Sequence, residues 1–225
     1  MAIMAEQEGA TGGCPLCAGP VSERFDEKTA RRYRWCRRCD LVSVHPDDRV
    51  TRSSEIGRYL EHDNGHHQSG YVRMLSRFLD RAVKPWCGSG ASLLDYGCGY
   101  SPVLSSIARG RGYSVRSWDP YFLPDNSALQ ASYDVIVACE VIEHIAEPGR
   151  ALAAMRELLE PGGILAVRSS LHPDSWEAFF RFWYIRDRTH VSYFSEQTVR
   201  FAAEHFGFTV VELDDPVWVL RKLPG

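Results

Sequence analysis

Apolar positions along this chain change period several times, and each change marks an element. Tyr71, Met74, Leu75, Phe78, Leu79 and Ala82 recur at helical spacing, which predicts a helix over 71–83 with one wet face. Short apolar runs then read as strands at Ser92–Tyr96, Tyr113–Trp118, Asp134–Cys139 and Ile164–Val167. A helix precedes the last of these and closes at Glu160-Pro161-Gly162-Gly163. Ser195 is placed as an N-cap for a helix over 196–205, which Gly207 ends. Phe208–Leu213 and Val217–Leu220 follow as an antiparallel hairpin turned at Asp214-Asp215-Pro216. Upstream, Arg31–Trp35 alternates as a strand, Leu41–Val44 is a strand stopped by Pro46, and a short helix is expected over 55–60. The first thirteen residues carry no periodicity and predict a disordered tail. Strands alternating with helices specify an α/β chain.

The stretch Leu93-Leu94-Asp95-Tyr96-Gly97-Cys98-Gly99-Tyr100-Ser101-Pro102 runs from strand into turn into helix. Two glycines one residue apart permit a sharp bend and close approach of a ligand. Pro102 is expected in the first helical turn, whose free N–H groups face the crevice. The second strand ends in Asp119, placed where a carboxylate accepts hydrogen bonds from ribose hydroxyls. The third ends in Glu140.

The segments LLDYGCG (93–99), SWDP (117–120), YDVIVACEVIEH (133–144) and LLEPGGILAV (158–167) resemble, in order, the class I S-adenosylmethionine-dependent methyltransferases, near the ubiquinone-pathway methylase branch. The resemblance covers roughly residues 66–225. It implies a Rossmann-like, mostly parallel sheet with an antiparallel C-terminal hairpin strand. It also implies cofactor contacts from Asp95, Gly97, Cys98, Gly99, Asp119, Pro120 and Glu140. Tyr71, on the helix that packs over the pocket in this family, is expected either at the cofactor's carboxylate or in the core. About fourteen residues between Pro120 and Tyr133 are too few for a helix and a strand, so the strand-3 edge is expected to be trimmed. Asp125, Asn126 and Ala131 are the adenine-side candidates there.

The cysteines change the picture at the N-terminus. Cys14, Cys17, Cys36 and Cys39 form C-x₂-C-x₁₈-C-x₂-C. Two such knuckles complete a tetrahedral zinc site with every position filled by sulfur, so the ion serves folding rather than catalysis. An odd total of seven cysteines with this spacing favours metal over disulfides. The chain therefore divides into a tail (1–12), a zinc ribbon (13–46), a linker and helical lid (47–85) and an S-adenosylmethionine-binding domain (86–225). A net charge of −3 gives no global field for nucleic acid. No apolar run has membrane-spanning length and no signal peptide is apparent, which predicts a cytoplasmic protein.

Acceptor chemistry is sought past the third strand, in Glu140-Val141-Ile142-Glu143-His144. In a helix, Glu140, Glu143 and His144 would share one face and offer three ligands to a second divalent cation. Glu-x-x-Glu-His occurs here in the ubiquinone-pathway O-methyltransferase and in the plant small-RNA 2′-O-methyltransferase, and His190 matches the RNA enzyme's later histidine. His144, His190 and Glu140 are thus the catalytic candidates, as a base or as cation ligands. His62, His66 and His67 are active-site candidates against a solvated reading. Aromatic residues and Arg181, Arg186 and Arg188 within 172–190 suggest a lid over an aromatic or anionic small molecule, against a helix merely packed on the sheet. The expected activity is methyl transfer to a hydroxyl or azole nitrogen of a small acceptor. The rivals are an RNA methyltransferase docking RNA through Arg31, Arg32 and Arg34, and a binding protein without turnover.

Overall fold

The computed structural model describes residues 12–61 and 69–224. Most of the predicted tail, and His62, His66 and His67, lie outside those residues. In chain order the elements are β1 (Val21–Asp26), β2 (Arg31–Cys36), β3 (Val42–Val44), α1 (Arg52–Glu61), α2 (Ser69–Ala82), β4 (Ser92–Tyr96), α3 (Val103–Gly110), β5 (Ser114–Trp118), β6 (Tyr133–Cys139), α4 (Pro148–Leu158), β7 (Leu159–Arg168), α5 (Trp176–Phe179), β8 (Ser192–Tyr193), α6 (Glu196–His205), β9 (Phe208–Asp214) and β10 (Val217–Lys222).

Six strands form the main sheet in the order β5-β4-β6-β7-β10-β9. The first four are parallel, and β10 runs antiparallel to both β7 and β9. The apolar runs split by residue parity, as a pleat demands. Leu93, Val135, Val137 and Val219 face a core built with α2 and α3, through Leu75, Phe78, Leu79 and Leu104. Leu94, Ile136, Leu165 and Leu220 face the opposite core with α4 and α6, through Leu152, Met155, Val199 and Ala202. The segment after β5 holds an isolated bridge, Asp119 to Leu123, and a 3-10 turn over Asn126–Gln130. The sheet thus ends at β5, with its edge trimmed as expected.

The ribbon is not an appendage on a tether. Its sheet runs β1-β2-β3-β8, so its last strand comes from the C-terminal half of the chain. Cys14, Leu16, Cys17, Cys36, Cys39 and Leu41 belong to the same core as α4 and α6. Gly149 allows the closest approach, since a Cβ there would meet the Leu16 carbonyl oxygen at 2.7 Å. The division at residue 46 marks a change of local architecture within one packed body. Pro102 is the N-cap of α3 rather than a first-turn residue, with φ −76° and ψ 63°. Among the described residues no helix is long and apolar enough to cross a membrane.

The interleaved arginines of β2 do not form an outward basic face. Arg31 is fully buried, Arg34 donates to the Gly13 carbonyl at 3.1 Å, and Arg32 pairs with Asp48 at 2.8 Å. The aromatic segment 172–190 is likewise spent mostly on packing. Phe179, Tyr184, Ile185 and Val191 share a core with Tyr33, Trp35, Val42 and Val44 of the ribbon, with the Tyr33 and Phe179 rings 5.1 Å apart edge-on.

Candidate active site and metal centre

Where β4 ends, the backbone turns through Gly97 (φ +77°) and Gly99 (φ +67°). A Cβ on Gly97 would lie 2.6 Å from a methyl of Val141, so only glycine lets the loop pass the segment after β6. A Cβ on Gly99 would meet nothing and would project into open space. Asp119 ties this loop to the next turn: its carboxylate accepts from the amides of Gly99 (3.0 Å), Tyr121 (2.8 Å) and Phe122 (3.0 Å). A carboxylate has about four acceptor directions, so one remains for a ligand hydroxyl.

These residues form one wall of a cavity of about 530 Å³. Gly97, Cys98, Gly99, Asp119, Pro120, Glu140 and Tyr71 all line it, and Tyr71 also packs against the α2–α3 core. Asp95 does not. It lies fully buried beneath the loop, its carboxylate accepting from Ser105 Oγ at 2.7 Å, and burial pushes its pKa up to about 6. Asp95 thus ties the end of β4 to α3. Asp125, Asn126 and Ala131 also stand outside the lining: Asp125 caps Ser127, and Asn126 accepts from Trp118 Nε1. The aromatic neighbours of the loop are instead Tyr100 and Phe122, edge-on at 5.9 Å, and Tyr121. Their signal was aromatic residues directly beside the two predicted ligand segments. Cys98 and Cys139 are held protonated by burial, which pushes Cys98 up to about 12.

A second wall of the cavity carries His144, Tyr184, Asp187 and His190, together with the exposed Trp183 and Arg186. The condition that 140–144 be helical is not met. Glu140 adopts φ +56°, and only Ile142–His144 forms a single 3-10 turn. That bend removes Glu140 from the shared face. Its carboxylate pairs with Arg168 and accepts from the Tyr184 hydroxyl at 2.9 Å. Glu143, His144 and His190 do converge: one ligand atom from each lies within 4.8 Å of the others. The proposed four-residue cation set thus becomes a trio with Glu140 apart.

The trio's chemistry is set by its neighbours. His144 Nδ1 faces the Thr189 carbonyl at 3.2 Å, and His190 Nδ1 faces the Tyr184 carbonyl at 2.9 Å. A carbonyl only accepts, so both rings carry the proton on Nδ1 and keep Nε2 as the basic nitrogen. Glu143 is fully buried; one oxygen lies 2.5 Å from the Tyr184 hydroxyl, whose single proton it shares with Glu140, and the other makes no hydrogen bond. Burial pushes its pKa up to about 7. A buried acceptor left unmade costs about 1–3 kcal/mol, which a proton or a cation would relieve. Helix α1 adds Glu55 and Arg58 to the lining, with Glu55 accepting from the Tyr121 hydroxyl at 2.9 Å and Arg58 near Asp187 at 3.9 Å. Neither Glu55 nor Arg58 was predicted, because their helix is remote in sequence and polar.

The four ribbon cysteines meet the geometric requirement of a tetrahedral thiolate site. Their sulfurs lie within 4.8 Å of one another, with Cys14–Cys39 at 3.4 Å and Cys17–Cys36 at 3.5 Å. A zinc–sulfur bond of about 2.3 Å would set sulfurs about 3.8 Å apart. Amides of Leu16, Gly19 and Arg38 point at Cys14, Cys17 and Cys36 sulfur at 3.3–3.4 Å, as thiolate ligands require. All four are free thiols and buried, so the set is consistent with one structural ion.

Comparison with known proteins places this architecture. A family model described as a methyltransferase domain matches residues 64–213. Two ubiquinone biosynthesis O-methyltransferases are similar over part of their length. That of Caulobacter vibrioides is 51% identical over 102 residues, covering 35% of this chain and 40% of that enzyme. That of Cereibacter sphaeroides ATCC 17025 is 46% identical over 99 residues, covering 34% and 40%. The match thus spans under half the length of these relatives. The crystal structure of a candidate methyltransferase from Bacillus halodurans C-125 superposes with a TM-score of 0.50 at 20% identity, covering 62% of this chain and 68% of that one. With two thirds of its length matched, and the glycine turn, Asp119 and the six-stranded sheet in the expected places, the chain belongs to the methyltransferase-domain family of the class I, S-adenosylmethionine-dependent type.

Proposed function

We propose that this protein transfers a methyl group from S-adenosylmethionine to a hydroxyl or azole nitrogen of a small molecule. The observation that carries this reading is that one cavity is lined both by the Gly97–Gly99 loop with Asp119 and by His144 and His190, which converge with the buried Glu143 behind the lining. The cofactor supplies a sulfonium-activated methyl group, so the chain's own task is mainly placement and deprotonation. Asp119 and the loop amides hold the donor end, with Tyr71 and Pro120 completing that wall. Nε2 of His144 or His190 takes the acceptor proton. Glu143 stabilises the resulting imidazolium, or joins both histidines in holding a divalent cation that lowers the acceptor's pKa. The exposed Trp183 and Arg186 of the lining suit an aromatic or anionic acceptor. The O-methyltransferase relatives favour a hydroxyl as the methylated group. Zinc in the four-cysteine site serves folding.

The test is incubation with labelled S-adenosylmethionine and a cell metabolite extract, with and without EDTA. A labelled small molecule is expected, and its formation should fall at least about tenfold in His190→Gln. Loss of product on EDTA treatment supports the cation. Indifference to EDTA assigns the trio to base chemistry alone. Label in RNA instead of a small molecule would contradict the acceptor class.

A further inference from the structure

The two walls of the cavity are anchored differently. Gly97, Gly99 and Asp119 are joined by hydrogen bonds that close within the stretch 97–123. The acceptor wall hangs instead on the ribbon. Val44, in β3, donates its N–H to the Val191 carbonyl at 2.9 Å, and Val191 donates its own N–H to the Glu143 carbonyl at 2.7 Å. Val42 and Ser43 pair with Tyr193 and Ser192, which fixes the register of the segment that carries His190. The Thr189 carbonyl in that same segment orients His144. Strand β3 begins three residues after Cys39, and between them Asp40 accepts from Trp35 Nε1 (2.6 Å) and from Ser195 Oγ. A short relay therefore runs from a cysteine ligand, through β3 and Val191, to all three members of the trio.

We propose that the ribbon is a positioning element for the acceptor wall. Val44, acting through Val191, sets Glu143, His144 and His190, so the state of the four-cysteine site governs acceptance of the methyl group and leaves cofactor binding alone. The inference rests on the methyl-transfer reading. Pairing strands by backbone bonds is a rigid link, because a one-residue slip would turn His190 to the other face. It also explains why a metal ribbon shares a sheet and a core with a catalytic domain instead of standing apart.

The decisive variants are Val44→Pro, which removes the N–H with every cysteine in place, and Val44→Ala, which keeps the N–H and trims the side chain. Hydrogen exchange is followed in peptides covering 141–146 and 188–194, alongside calorimetric binding of S-adenosylhomocysteine. Exchange in both peptides should quicken at least about tenfold in Val44→Pro and on stripping the ion, and stay within about threefold of the parent in Val44→Ala. Affinity for S-adenosylhomocysteine should stay within about threefold in all of them. Labelled methyl transfer to the extract should fall at least about tenfold in Val44→Pro, with half-saturating S-adenosylmethionine unchanged. Unaltered exchange in Val44→Pro, or cofactor affinity lost in step with exchange, overturns the proposal. Should stripping unfold the whole chain, Val44→Pro alone decides. A parent protein that fails to bind S-adenosylhomocysteine refutes the methyl-transfer reading, while the exchange data still judge the linkage.

Discussion

The donor wall and the acceptor wall of this cavity are made in opposite ways. The centre of the donor wall is local: two glycines after strand β4 and a carboxylate one βα unit later are joined by hydrogen bonds within 97–123, with Tyr71 added from α2 and Val141 packed on Gly97. The acceptor wall is assembled from the segment after β6, the loop before β8 and a strand from the N-terminal ribbon. Local sites survive changes elsewhere in a molecule; composite sites inherit the stability of every part they borrow. The two walls should therefore fail separately, and the following experiments probe that separation from the largest effect down.

Cys39→Ser removes one of the four thiols of the proposed zinc site, whose ion would contribute folding energy directly. Its sulfur lies among buried core residues, so the loss reaches α4 and α6. The expected result is a fall in Tm of about 10 °C or more, with zinc content by mass spectrometry dropping from one ion per chain. Unchanged Tm would detach the ribbon from the fold. Gly97→Ala acts on the donor wall, where φ is +77° and the new Cβ would lie 2.6 Å from Val141. A loss of about 2–3 kcal/mol by urea denaturation is expected, together with weakened cofactor binding and unchanged zinc content.

Asp95→Asn sharpens the comparison through pH. Burial raises the folded pKa of Asp95 to about 6, above its unfolded value of 3.8. Its contribution to stability is therefore fully present below about pH 4 and is lost as pH rises through about 6. Asparagine cannot ionise. The variant should lack that decline and be more stable than the parent above about pH 7, by on the order of 2 kcal/mol in urea titrations. Equal pH profiles would mean that the carboxyl is not desolvated as the geometry indicates. The smallest effect concerns a seam between ribbon and body. Ser195 caps α6 by accepting from the Thr198 amide at 3.1 Å, and it also donates to Asp40. Ser195→Ala should cost about 1–2 kcal/mol, read as a Tm lowered by about 2–6 °C.

The same contrast explains what could be read from residues alone. Spacing announced the four cysteines, because two knuckles that bring four thiols together leave a fixed pattern in the chain. The loop at Gly97 and Gly99 and the acid at Asp119 were legible for a similar reason: strand, turn and acid follow one another within about thirty residues. Asp95 was misplaced by one layer, since a strand's parity decides whether its last acid faces a cleft or a core. Glu140 looked like a partner of Glu143 and His144 only if the segment were helical, and its φ of +56° sends it to Arg168 instead. Arg31, Arg32 and Arg34 read as a solvated alternating strand, with a nucleic-acid face as the rival, because their burial depends on segments far away in sequence. The aromatic run from Trp176 to Tyr184 concealed its role for the same reason, being packed largely against the ribbon. No local pattern discloses that β3 pairs with β8 across some 150 residues.

The most direct measurement of the account is calorimetric titration of S-adenosylhomocysteine into the protein and into Asp119→Ala. Saturable one-to-one binding is predicted for the parent, with a dissociation constant on the order of micromolar, weakened at least about tenfold by the substitution. Absence of binding to the parent, or equal binding to both, would contradict the assignment of the Gly97–Gly99 loop and Asp119 as the cofactor's seat.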